Sequence, residues 1–146
     1  MELTKKIVFT IDNQVCVAHM GASAVSYEEE SKSMVPDGVQ YQLLDDTTEN
    51  FPTSRIFRNA WIESQSSVST DLEGARVIAH EYRRLSRDIE MQPLDVKVTI
   101  PGEVEVAEAS RANLRLQYAD IQTKIDEAKT VEELEVLAGS LKYFKN

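Results

Sequence analysis

A single cysteine, two histidines and five scattered glycines leave this 146-residue chain few ways to build a chemical site. Cys16 has no second thiol to pair with, so an internal disulfide and a cysteine-rich metal site are both excluded, and a reducing compartment is the simpler setting. It lies in the apolar run Val15-Cys16-Val17-Ala18 with no neighbouring His to lower its pKa, which reads as a structural residue and not a nucleophile. The glycines, at 21, 38, 74, 102 and 139, form no phosphate-binding loop. His80-Glu81 opens like the helical zinc-protease motif, but the position four residues on, where a second imidazole is required, is Arg84. No metal and no cofactor is therefore expected.

Long hydrophobic runs are also missing. Ile7-Val8-Phe9-Thr10-Ile11 stops at Asp12-Asn13, too early for a signal-peptide core or a membrane span. Basic residues are the minority, 16 against 25 acidic ones, and the net charge of −9 opposes a nonspecific grip on nucleic acid or anionic lipid. Hydrophobic residues at 42% are nevertheless plentiful enough for a folded domain.

The first half of the chain reads as β-rich. Residues 5–11 and 14–20 are two strands around Asp12-Asn13, a pair that tolerates positive φ in a two-residue hairpin turn. Residues 21–33 have no decisive period and stay open between loop and short helix. Val35-Pro36-Asp37-Gly38 is a turn, and residues 39–44 alternate like a half-buried strand. A polar loop over 45–54 leads to Arg55-Ile56-Phe57-Arg58-Asn59-Ala60-Trp61-Ile62, a fourth strand or an ordered turn.

The second half reads as helical. The serine-rich residues 64–69 mark a boundary, and Thr70-Asp71-Leu72-Glu73 is a capping box that starts a helix at Asp71. Leu72, Ala75, Ile78, Ala79, Tyr82, Leu85 and Ile89 form its apolar stripe, leaving Arg76, Arg83, Arg84 and Arg87 outside beside nearly as many acids. That basic set is a solvated face or a dock for an acidic partner. Pro93 ends the helix near Met91, and residues 94–100 become a connector or isolated strand before Pro101-Gly102. Val104, Ala107, Leu114, Tyr118, Ile121, Ile125 and Ala128 then recur at about 3.5 residues, the spacing of a narrow helix-helix seam, interrupted by Arg111. Thr130-Val131-Glu132-Glu133 caps a short last helix with Leu134, Leu137, Ala138 and Leu141 inward. The expected class is α+β, with a β-rich module over 1–63 and a helical module over 70–146.

Two residue sets are candidates for function. On a strand, Arg55, Phe57 and Trp61 share one face, and with Arg58 they form a contact for a partner protein, a structural tryptophan under arginine stems, or an anion site. Leu114, Tyr118, Ile121 and Ile125 are expected to join copies of the chain, because two helices offer little surface to cover both stripes.

The stretch Val35-Pro36-Asp37-Gly38-Val39-Gln40-Tyr41, followed by Phe51-Pro52-Thr53-Ser54-Arg55-Ile56-Phe57-Arg58-Asn59-Ala60-Trp61, resembles a group of small phage and prophage proteins from tail-gene modules. Asp71 to Arg76 and Thr130 to Leu134 are similar as well, whereas Phe51 stands where the group has Leu and residues 94–108 do not align. The resemblance implies a non-catalytic component or assembly helper of a phage tail or tail fibre. It would act in the virion or in the host cytoplasm during assembly, with other tail or fibre proteins as partners, and it supplies no catalytic residues. The alternative is a small phage protein that captures an anionic molecule such as a signalling nucleotide through Arg55, Arg58 and Trp61.

Overall fold

A computed structural model describes residues 4–145. The class is α+β: small antiparallel sheets come first and helices follow, in two compact units, Met1–Asp71 and Leu72–Asn146.

In the first unit, β1 (Lys5–Ile11) pairs antiparallel with β2 (Gln14–Ala18) and with β3 (Tyr41–Asp45), in the order β2-β1-β3. Asp12 and Asn13 both adopt positive φ, 50° and 64°, as a two-residue hairpin turn demands, and Ile11 pairs with Gln14 across it. The central strand is apolar on both faces because both are covered. Val8, Val15 and Leu44 pack with Trp61 and Val68 on one side, whereas Ile7, Phe9 and Val35 form a cluster on the other. The open segment contains α1 (Tyr27–Met34), whose start was legible as Ser26-Tyr27-Glu28-Glu29. Ser26 Oγ accepts the amide of Glu29 at 3.2 Å, and three glutamates occupy the first turn, where the helix dipole favours them. Gly38, at φ 83°, closes the expected turn before β3.

The middle of the chain resolves one open expectation and corrects two. The alternatives left open for residues 55–62, strand or ordered turn, divide between them: 55–60 are the turn, with a 3-10 turn over Arg58–Ala60, and β4 (Trp61–Glu63) follows. The serine-rich stretch, expected to separate the halves, is the turn of a hairpin between β4 and β5 (Val68–Thr70), with the Ser64 amide donating to the Ser67 carbonyl at 2.9 Å. Thr70, expected as the helix cap, is the last residue of β5 and pairs with Trp61, so the first unit runs on to Asp71.

In the second unit, α2 (Leu72–Lys97) runs through Pro93 instead of stopping at Met91, and residues 94–97, expected as a connector or strand, are its last turn. Proline removes one amide and strands the carbonyl of Ile89, yet Ile89, Gln92 and Pro93 are exposed, so water can solvate the freed group. Single turns then lead to Gly102, at φ 90°, and to α3 (Val104–Glu127). No helix among the described residues is long and apolar enough to cross a membrane.

The line of α2 that turns inward is Ala75, Ala79, Arg83 and Ser86, not the line through Leu85 and Ile89. Arg83, expected outside, is buried, and burial is the main cause that holds its pKa below the ordinary arginine value. Its Nε donates to His80 Nδ1 at 3.2 Å, which places the ring proton on Nε2, 2.7 Å from Asp126 Oδ1. Arg76 caps α3 by donating to the carbonyls of Ile125, Asp126 and Ala128 at 2.5 to 3.1 Å, at a helix end where carbonyls run out of the next turn's amides. Finally, α4 (Val131–Gly139) starts as expected at Thr130, whose side chain accepts the Glu133 amide, while Glu133 reaches back to the amide of Lys129. Leu134, Ala138 and Leu141 are buried beneath it.

Tyr118 of α3 donates its hydroxyl to Glu90 of α2. Burial, then that bond and the glutamate's charge, push its pKa well above the ordinary 10.0. Because the folded value is the higher one, the folded state holds this proton more tightly than the unfolded chain does. The contribution is intact below pH 10 and is lost as pH rises from there through the folded pKa. Tyr118→Phe should therefore flatten the fall in stability above pH 10, measured by urea unfolding across a pH series. At neutral pH it should cost about 1–3 kcal/mol, because Glu90 loses its donor.

Candidate docking surface

Arg55, Phe57, Arg58 and Trp61, expected as a contact face, are brought together in the first unit, but largely as core. Phe57 and Trp61 are buried at 1% and 5% exposure. The guanidinium of Arg58 lies 4.9 Å from the Trp61 ring centre and that of Arg55 5.8 Å, both within cation-π range. Arg58 Nη1 also donates to the Val15 carbonyl of β2 at 3.2 Å, tying the 3-10 turn to the sheet. With its edge in the core and cations over the ring, Trp61 has little free face on which to stack a base.

The seam Leu114, Tyr118, Ile121 and Ile125 lies on one face of α3, as the spacing predicts, but much of it is already covered within the chain. Tyr118 and Ile125 are buried, with Ala107 and Ala128 continuing the line, while Leu114 and Ile121 are half-buried. Val104, expected at its start, is exposed. Arg111 does not break the seam. It lies beside Asp95 of α2 at 3.2 Å and Glu108 at 3.0 Å, a charged link between the helices where an aliphatic residue would otherwise stand. The physical ground for self-association through this seam was an uncovered stripe, and α2 covers a large part of it.

What remains uncovered is on α2. Leu85, Ile89 and Val96 are between 40% and 62% exposed, and Pro93 among them is exposed too. On a helix these positions succeed one another in steps of three and four, a continuous apolar row. Beside it an open groove of about 440 Å³ runs between α2 and α3, with Ile89, Pro93, Leu94 and Leu114 among its walls and Lys142 at its rim. At the N-terminal end of the row, Tyr82 packs edge-on against Phe144 at 4.7 Å and near Tyr143 at 5.1 Å. The Tyr143 amide donates to the buried Ser86 Oγ at 3.0 Å and fixes this C-terminal turn on α2. Sequence reasoning named Leu85 and Ile89 but placed them inside, and it missed Val96 because it ended the helix before Pro93.

Chemistry of other kinds has little to work with among the described residues. No group of three or more His, Cys, Asp or Glu is arranged to hold a metal ion. Cys16 is half-buried against the Ile7, Phe9 and Val35 cluster, with its thiol 3.8 Å from the Gln14 carbonyl. Burial, before any neighbouring charge, raises the pKa of Tyr82 and of Glu135, which is the mark of packing.

Two substitutions separate the core role of the tryptophan cluster from a surface role. Trp61→Ala empties the core of the first unit and should cost about 3–5 kcal/mol in chemical denaturation. Arg58→Met keeps the stem over the ring but loses the cation and the bond to Val15, and should cost about 1 kcal/mol.

No family model, curated protein or solved structure matches the chain.

Proposed function

We propose that this protein works by binding another protein, without catalysis, and that the helical unit carries the docking surface. The observation that supports this reading is the apolar row from Leu85 to Val96. Apolar side chains at four successive positions of one helix face, Leu85, Ile89, Pro93 and Val96, lie open to solvent beside a groove, and such contiguous patches mark interaction sites more often than isolated surface aliphatics do. The setting is the one the resemblance implies: a component or assembly helper of a phage tail or tail fibre, in the virion or in the host cytoplasm, with tail or fibre proteins as partners. Capture of an anionic molecule by Arg55, Arg58 and Trp61 fits less well, since the ring is buried and Arg58 is engaged with Val15.

Cross-linking mass spectrometry on cells that produce the chain, and on particles purified from them, tests the reading. A defined partner protein should cross-link to α2, and Ile89→Asp or Val96→Asp should remove the adducts while leaving the circular dichroism spectrum unchanged. Calorimetry against a panel of nucleotides supplies the opposite outcome. Micromolar or tighter binding that disappears in Arg58→Ala, with cross-links at α2 lacking, would replace docking by sequestration.

A further inference from the structure

We infer that the row on α2 receives an amphipathic helix of another protein whose apolar stripe is bordered by basic residues. This deepens the protein-binding reading and rests on it. Positions seven apart on a helix return to nearly the same face, and Tyr82, Ile89 and Val96 are so related, with Leu85 between the first two. That is one of the two lines of a helix-pair seam, displaced round α2 from the line that packs inside the unit; the other begins at Leu85 and continues with the polar Gln92, so Pro93 completes the apolar surface beside it. Tyr143 and Phe144 already cover Tyr82, so the open length runs from Leu85 to Val96. This is about three turns, or roughly 17 Å, the footprint of a partner helix of similar length.

The charge along the border says what kind of helix. The residues immediately before Tyr82, Ile89 and Val96 are Glu81, Asp88 and Asp95, all exposed, so the border carries a carboxylate in every heptad. Two of the three have a cation nearby: Arg111 lies 3.2 Å from Asp95, and Arg87 lies 3.9 Å from Asp88. A second copy of this chain is a poor occupant. Laid antiparallel, it sets its own three carboxylates against these three. Laid parallel, it meets them with Ser86 and Pro93, neither of which carries charge. The net charge of −9 on each copy adds to the repulsion. Lys or Arg in the flanking positions of a different helix pairs with Glu81 and Asp88 and is drawn in by the same field. The far border, toward α3, holds one cation, Lys142, among Ser110, Asn113 and Gln117, while Arg84 and Arg87 stand farther round α2 than the carboxylates, so the charge nearest the row is acidic.

Three labelled synthetic helices of about three heptads test this by fluorescence anisotropy at physiological salt. The first has a Leu/Ile seam flanked by Lys, the second the same seam flanked by Glu, and the third the Lys flanks with the seam changed to Ser. The Lys-flanked peptide should bind at least about tenfold more tightly than the Glu-flanked one. Glu81→Lys combined with Asp88→Lys should reverse that order, Ile89→Asp or Val96→Asp should weaken both, and the Ser-seam peptide should not bind. Equal binding of the Lys and Glu peptides, or an order unchanged by the double substitution, overturns the basic partner while leaving protein binding in place. No binding of either seam peptide, with cross-links at α2 still present in cells, overturns the helical occupant. A chain that sediments alone as a dimer, dispersed by Ile89→Asp, assigns the row to a second copy and overturns the inference as well.

Discussion

The helical unit depends on which residues α2 turns toward its neighbours. At roughly 100° per residue, Leu85 and Ile89 stand about a quarter of a turn from the mean direction of Ala75, Ala79, Arg83 and Ser86. The apolar sector of α2 is therefore wider than one packed helix pair can cover. Small residues at 75 and 79, with Ala107 on α3, allow close approach along the inner line. Arg83 and Ser86 are tolerated there because each has a partner, His80 in one case and the Tyr143 amide in the other. The larger aliphatic residues are left on the outer edge, and the exposed row is the consequence.

Around that choice the polar contacts work as ties between helix ends and faces. Arg76 satisfies carbonyls at the end of α3, His80 links Arg83 to Asp126, and Tyr118 links the two long helices through Glu90. Each joins α2 to α3, so the register of the pair is specified by hydrogen bonds at both ends as well as by apolar packing between them. Such ties resist sliding, and a one-turn slip would leave several buried donors and acceptors unpaired. The exposed row on α2 is thereby carried on a helix of fixed register, and a surface ordered in advance costs less to order on contact.

Much of this architecture was legible from local chemistry. The Asp12-Asn13 hairpin, the turn at Gly38, the Thr130 cap and the seam of α3 all follow from residues whose preference is settled within a few positions. The errors arose where a local signal met a tertiary circumstance. Pro93 is a helix breaker when the freed carbonyl is buried, and here it faces water. Thr70 fits a capping box, but pairing with Trp61 claims it for a strand. Ser26-x-x-Glu29 was a readable cap that went unused in a stretch lacking apolar period. The candidate site was half legible: periodicity placed Leu85 and Ile89 on the apolar side of α2, but no single-helix pattern can say which edge of a wide sector a neighbour will cover.

The tryptophan cluster gives the complementary lesson. Arginine and tryptophan are the residues most enriched in binding hot spots, and the same properties, a large flat ring and a planar cation with an apolar stem, make them efficient closures for a small β core. Composition alone does not separate the two uses, and burial does. Phe57 and Trp61 lie inside, and Arg58 spans from the ring to the Val15 carbonyl, so the group joins the 3-10 turn to the sheet. Arg55 to Trp61 is therefore a stretch that closes the β unit, and a substitution there acts first on the core of that unit. The apolar row on α2 is different in kind, since its side chains and the charges beside it can change without disturbing that core.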